Sequence, residues 1–377
     1  MALDYYRPNV SGLSLYVERL SRILAERGHE VTVLTHRHLP ELPLEDREGR
    51  VRIVRAPVAA RIGKALISPA IVAAALRELE GADVFHLHAP LAAAAPLALA
   101  AAHRQVPIVV TYHCDLRPPP GVFQRLVEAF ARGAQNFALD RAARVVTYTE
   151  DYASHTRPLA ERPDTVSWIL PPVPDPVPSA LSVEQARRRY GVRGGPVILF
   201  LGRFAEEKGL PHLIRAFEEV RGEFPGAALV LTGEKDSVPG ETVGERLAPL
   251  LADPASGIVA TGLVAPERTA ELFSIADVLV LPSINSTESF GLCQVEAMLC
   301  GVPCVASDLP GVRQPVLLTG MGEIARIGDP RDIARALRAV LRKPEEYRKS
   351  HEEIRSVFPL SWTASEYERI YRDAAAA

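Results

Sequence analysis

Short runs of branched apolar residues alternate with helix-patterned stretches along the whole chain, and few architectures accept that rhythm. The first half offers apolar runs at 29–35, 51–57, 83–88, 107–113, 144–149 and 165–170. The second half offers 196–201, 228–232, 257–261, 277–282, 303–307 and 322–327. Strands that are apolar throughout are buried on both faces, so these runs predict parallel sheets covered by helices on each side. The clearest helix is expected at 13–27, with Leu13, Tyr16, Val17, Leu20, Ile23 and Leu24 on one face and Gly28 as its left-handed stop. Further helices fit 210–221, 266–275, 290–300 and 330–342. A final amphipathic helix at 360–374 is built on Trp362, Tyr367, Ile370 and Tyr371. The alanine-rich run 90–102 is too short to span a bilayer and reads as a buried crossover helix.

At 377 residues the chain is long for one domain and comfortable for two. The seam is expected in the proline-dense stretch 170–178, LPPVPDPVP, which neither continues a helix nor donates to a central strand. The expected division is 1–173, 174–359, and a tail 360–377 that packs back on the first domain. A formal net charge of -3 removes any whole-molecule electrostatic case for binding nucleic acid. Cys293, Cys300 and Cys304 fall in an apolar stretch, and with Cys114 they read as reduced, buried thiols. No basic leader with an apolar core opens the chain, so a cytoplasmic protein is expected.

In open parallel sheets, ligands bind beyond the carboxyl ends of the strands. After the run 196–201 comes Gly202-Arg203-Phe204-Ala205-Glu206-Glu207-Lys208-Gly209, and then a helix. Two glycines permit close backbone approach, two side chains are cationic, and a helix start adds unpaired N–H groups. Together these suit a diphosphate. The same loop also reads as ordinary surface, with Lys208 paired to Glu206 or Glu207. After 277–282 comes a polar loop carrying Glu288 and an apolar helix carrying Glu296. A buried carboxylate needs donors, and ligand hydroxyls are one source; backbone is another. No D-x-D motif occurs, so no metal clamp on a diphosphate is indicated and no cofactor is expected.

The segment ESFGLCQVEAM, Glu288 to Met298, resembles the E-x7-E signature of glycosyltransferase family 4, and GRFAEEKG resembles that family's arginine–lysine pyrophosphate loop. The likeness extends through PNVSGLSLYVERLSRILAERGHEVTVLT, VVTYHCD at 109–115, LVLTGE at 229–234 and GVPCVASDLPG at 301–311. It implies an α/β GT-B fold, two Rossmann-like doubly wound parallel-sheet domains facing a central cleft, and a retaining nucleotide-sugar glycosyltransferase. By the resemblance, Arg203 and Lys208 bind the donor diphosphate, Glu296 holds the ribose, and Glu288 contacts the transferred sugar. Gly202 belongs to the phosphate loop. Phe290, Gly291 and Leu292 lie at the sugar or phosphate, and Gly233 and Val264 lie at the base. Gly12 matches a glycine that approaches the phosphates, and His113 matches a histidine near the reaction centre. His88, Asp115 and Arg117 fall on the acceptor side; His86 and His88, at a strand exit facing the cleft, also read as structural histidines.

The chain departs from the family pattern at Ser11-Gly12, where Gly-Gly is usual, and at Pro171-Pro172, where Asn-Gly is usual. The first strand also enters late, since Met1 stands where the family already has apolar residues. The implied partners are a UDP- or GDP-linked sugar and a carbohydrate, lipid or small-molecule acceptor. A helix near 122–132, with Val122, Phe123, Leu126 and Phe130 flanking Arg125 and Arg132, fits either ordinary packing on the first sheet or peripheral contact with the inner face of a membrane. A sugar-nucleotide epimerase, a hydrolase and a non-catalytic nucleotide-sugar binder remain alternatives on the same frame. The G-x-G-x-x-G of a nicotinamide dehydrogenase and the P-loop are both missing.

Overall fold

The computed structural model describes residues 1–62, 65–116, 122–235 and 241–376, leaving aside the side chains of 122–126. It divides into two compact units, Met1–Pro172 with Leu360–Ala377, and Val173–Pro359. Each is an α/β unit built on a mainly parallel sheet.

In the second unit all six strands run parallel, in the order Ile258–Gly262, Ala228–Thr232, Val197–Leu201, Val278–Leu281, Cys304–Ser307, Gly322–Ala325. Chain order therefore runs outward in both directions from the adjacent pair Val197–Leu201 and Val278–Leu281. That is the topological switch point, where a crevice opens past the strand ends. Helices Leu210–Arg221 and Pro330–Arg342 pack together on one face, and Leu213, Phe217, Ile333 and Leu337 enter the core beneath them.

In the first unit Ala2 bridges in parallel to both Leu34 and Leu87. The chain start thus lies between strands Thr32–Arg37 and Phe85–Ala89. Val51–Pro57 continues the sheet on one side, and Ile108–Tyr112, Arg144–Thr147 and Val166–Trp168 on the other. Two features escape the apolar pattern. Strand Glu45–Glu48 pairs antiparallel to Val51–Pro57 with every residue exposed, and the hairpin Ala60–Ile62 with Ala65–Ile67 is too short to show a period.

Helix Leu360–Ala376 belongs to the first unit. Thr363, Ala364, Tyr367, Ile370 and Ala374 form its buried stripe, at helical spacing. Thr363 Oγ1 donates to the Leu170 carbonyl at 3.0 Å, and Arg27 pairs with Glu368 at 2.7 Å. All four cysteines are free thiols, but only Cys293 and Cys304 are buried. Cys300 is exposed because it caps the end of helix Leu292–Leu299, and Cys114 is half-buried in a loop, which corrects the expectation of four buried thiols.

Candidate active site

At the switch point of the second unit two loops lock together. Gly209 has φ 67°, and a Cβ there would stand 2.1 Å from the Pro282 carbonyl oxygen. Gly233 has φ 144°, and its Cβ would stand 2.0 Å from the Gly202 carbonyl. Side chains at these two positions would push the 202–209 loop away from its neighbours on both sides. The glycines expected to admit a ligand therefore first admit backbone; at Gly209 the close partner is the next loop. Phe204 N–H donates to the Glu234 carbonyl at 2.8 Å, and Ile284 N–H to the Glu207 carbonyl at 2.9 Å. The loop ends in a single 3-10 turn, Glu206–Lys208, and Gly209 then caps helix Leu210–Arg221.

Lys208 does not pair with Glu206 or Glu207. Its ammonium donates to the Glu288 carboxylate, 80 residues away, and each side chain is 16% exposed. Burial acts to lower the Lys208 pKa, but the charge of Glu288 and the hydrogen bond to it prevail and hold it above its usual value. Glu207 instead accepts from Arg203 at 3.1 Å, and Glu206 pairs with Arg246. Glu296 is buried on helix Leu292–Leu299. The Cys293 thiol gathers these groups electrostatically. Burial pushes its pKa up, the charges of Glu288 and Glu296 push further, and Lys208 pulls it back. Lys208 and Glu288 thus stand in direct contact, with Arg203 on the same loop as Lys208 and Glu296 on the helix that follows Glu288.

One further residue of this site carries a signal in the sequence, a polar side chain at a buried helical position. Gln294 is the lone amide in helix Leu292–Leu299 and is fully buried. Its Nε2 donates to the Phe290 carbonyl at 2.8 Å and to the Val312 carbonyl at 2.9 Å. It ties the loop carrying Glu288 to the loop after strand Cys304–Ser307. Phe290 is buried, with its ring edge-on to Phe358, and Gly291 sits in the left-handed region as the cap of the following helix. Leu292 is the half-buried first residue of that helix. Gly233 N–H donates to Gly262, and Val264 lies two residues past that strand, half-buried.

Residues 182–357 match the family model described as glycosyl transferases group 1, and residues 10–175 match that of glycosyltransferase family 4. The 2-deoxystreptamine N-acetyl-D-glucosaminyltransferase of Streptomyces fradiae is 32% identical over 90% of this chain and 85% of its own length. The chain belongs to glycosyltransferase family 4. The 2-deoxystreptamine glucosyltransferase of Streptomyces kanamyceticus is 31% identical, over 88% of this chain and 90% of the relative. The sucrose-phosphate synthase of Thermosynechococcus elongatus has the same fold, with a TM-score of 0.77 at 20% identity, covering 100% of this chain and 98% of that one. Anabaena HepE, solved with UDP and glucose, gives a TM-score of 0.71 at 18% identity, covering 100% and 98%. The fold is thus GT-B.

The first unit of this glycosyltransferase carries the other candidate residues. Gly12 opens helix Gly12–Glu26 behind Ser11, which forms a capping box with Ser14. His113 leaves strand Ile108–Tyr112 and is buried, and both of its ring nitrogens are engaged. Nδ1 meets the Tyr148 hydroxyl, and Nε2 meets His88 Nδ1 at 2.9 Å. His86 and His88, expected at a strand exit, lie within strand Phe85–Ala89 and are buried, which accords with the structural reading of them. Their rings sit 4.0 Å apart. His86 bonds the Tyr371 hydroxyl and the Thr111 hydroxyl at 2.7 Å each, and Thr111 continues to Tyr367 and then to Tyr16. Burial lowers the pKa of all three imidazoles, that of His113 to about 3, so they are neutral near pH 7.

Asp115 Oδ1 accepts from the Tyr112 hydroxyl at 2.7 Å, and its N–H donates to Tyr152. Arg117 lies outside the described residues, as do the side chains of Val122, Phe123, Arg125 and Leu126. Phe130 is exposed and Arg132 pairs with Glu128. Among the described residues, no helix is long and apolar enough to cross a membrane.

Proposed function

We propose that this glycosyltransferase moves a hexose from a UDP- or GDP-linked sugar to an acceptor hydroxyl, with retention of anomeric configuration. The observation that carries the reading is the meeting of Lys208 and Glu288 at the switch point, with Arg203 on the loop of Lys208 and Glu296 on the helix after Glu288. A cation for the diphosphate and a carboxylate for sugar hydroxyls stand side by side there. Arg203, Lys208 and the start of helix Leu210–Arg221 stabilise the departing nucleoside diphosphate. Glu296 takes the ribose hydroxyls and Glu288 those of the hexose. Phe290, Gly291 and Leu292 supply backbone N–H groups at the helix start, and Gly202, Gly233 and Val264 line the nucleotide side. HepE has been solved with UDP-glucose, and starch synthase IV of Arabidopsis thaliana with ADP, which supports a nucleotide-linked donor on this fold.

The acceptor attacks on the face from which the diphosphate leaves, and a phosphate oxygen takes the acceptor proton. His113 supports that route over a protein base, because both ring nitrogens already hold partners and its pKa is far below neutrality. Its part is to orient groups on the acceptor side, where His88, Asp115 and Arg117 contribute. For the acceptor we favour a small polyhydroxylated molecule. Relatives are named for 2-deoxystreptamine and for D-inositol 3-phosphate as well as for phosphatidyl-myo-inositol. Transfer is proposed to need no metal.

The test is transfer from UDP- and GDP-sugars to an acceptor panel in the presence of EDTA, with the anomeric product read by NMR. An α-linked donor should give an α-glycoside. A β-glycoside, or turnover without an acceptor, would replace this reading with an inverting enzyme or a hydrolase.

A further inference from the structure

Both cations of the 202–209 loop already have carboxylate partners, Lys208 with Glu288 and Arg203 with Glu207. The two pairs differ in setting. Arg203 is 41% exposed, and exposed pairs exchange at little cost. Lys208 and Glu288 are each 16% exposed, and removing one partner from such a pair leaves the other without compensation. The two residues come from loops that cannot drift apart, because Gly209 is seated against Pro282 and Ile284 is bonded to Glu207.

We propose that the Lys208–Glu288 ion pair makes the site discriminate between an intact nucleotide sugar and the free nucleoside diphosphate. The proposal rests on the donor site assigned above. A nucleotide sugar re-partners both halves of the pair: its diphosphate takes the ammonium, and the hydroxyls of its hexose donate to the carboxylate. A nucleoside diphosphate takes the ammonium and strands the carboxylate, half-desolvated, beside a polyanion. Two like charges a few ångströms apart in that setting repel strongly. After transfer the carboxylate therefore reclaims Lys208 and helps the product leave. Glu288 thus acts twice, on the sugar before transfer and on the leaving nucleotide after it.

Calorimetric titration of the full chain with UDP and GDP, and with their glucose conjugates, tests this. Glu288→Gln removes the charge and keeps the shape. It is expected to bind the better nucleoside diphosphate about tenfold more tightly than the unaltered protein while losing transfer. Glu288→Asp keeps the charge and should bind nucleoside diphosphate as weakly as the unaltered protein, which controls for loop disruption in the glutamine variant. Lys208→Ala should lose affinity for both ligands. If the unaltered protein binds a nucleoside diphosphate and Glu288→Gln binds it no more tightly, the discrimination proposal is wrong and the donor site stands. If no nucleoside diphosphate binds any of these proteins, the donor site itself is wrong and the proposal falls with it.

Discussion

In the first unit three histidines, a threonine and four tyrosines pack together with no formal charge among them, whereas at the mouth of the second unit lysine, arginine and glutamates pair as full ions. Each arrangement suits a different demand. A network of neutral donors and acceptors, buried and bonded throughout except at His88 Nε2, holds one geometry. An exposed ion pair such as Arg203–Glu207 trades partners with an incoming anion at modest cost, whereas the more enclosed Lys208–Glu288 pair does so only for a ligand that re-partners both members. The first unit therefore has the properties of a fixed template and the second those of a reversible anion site.

The sharpest way to break this contrast is Lys208→Ala. Transfer should fall about 10²–10³-fold, the cost of removing one preorganised charge from a transition state. The fold of the first unit should not notice. Both tryptophans, Trp168 and Trp362, belong to that unit, so their fluorescence reports its melting alone. A variant that loses less than tenfold in kcat/KM, or one that shifts the tryptophan melt, would contradict the division of labour.

Acid should strike the first unit. The buried imidazoles have folded pKa values lowered from about 6.5, His113 to about 3, so below pH 6.5 the unfolded chain takes up protons that the folded chain refuses. Their contribution is present above pH 6.5 and is lost as pH falls. Asp4 works the other way. Burial raises its pKa to about 7, so it favours the folded state as pH drops from 7 towards 4. Burial lowers His36, His38 and the Met1 amine as well, so the lowered bases outweigh Asp4, and the tryptophan-detected melt should fall by on the order of 5–10 °C between pH 7 and pH 5. A melt that holds steady or rises over that interval would mean that the imidazoles are not neutral.

A smaller effect is expected at Gln294→Leu. The change leaves the Phe290 and Val312 carbonyls without their amide donor, at a cost of about 1–3 kcal/mol. The Glu288 loop should loosen, so the donor KM rises several-fold while kcat changes less. Equal loss in both would place Gln294 at the transition state instead.

The four inner strands of the second unit were legible because each is a buried, mostly apolar run, and a fully buried parallel strand leaves no other trace. Glu45–Glu48 was illegible for the opposite reason: it forms through backbone pairing with Val51–Pro57 and buries no side chain. In the site, the composition of the two loops announced a charged mouth, but not who pairs with whom. Lys208 has two glutamates immediately before it and chooses one 80 residues away, because the 3-10 turn and Gly209 aim it across the sheet end. The histidines showed the same limit. His86 and His88 lie two apart on a strand, but the tyrosines of their network come from both ends of the chain. Tyr16 and Tyr367 meet at 2.5 Å from positions 351 apart.

That meeting gives the finest comparison. Tyr16→Phe removes one hydroxyl from the neutral network and almost nothing else. Tyr367 keeps its bond to Thr111 at 2.8 Å, so no polar group is wholly stranded, and the ring of Tyr16 stays against His113 with centroids 4.9 Å apart. The expected loss is about 1 kcal/mol, a net neutral hydrogen bond, which in a unit of this size lowers the melting temperature by roughly 2–4 °C. Trp362, five residues before Tyr367 on the same helix, is placed to report it. Because no charge is involved, the shift should be the same in low and high salt, whereas nucleotide binding through Arg203 and Lys208 should weaken as salt rises. A shift in Tyr16→Phe that shrinks with added salt would show that the network is charged after all, and that the contrast between the two units is one of degree.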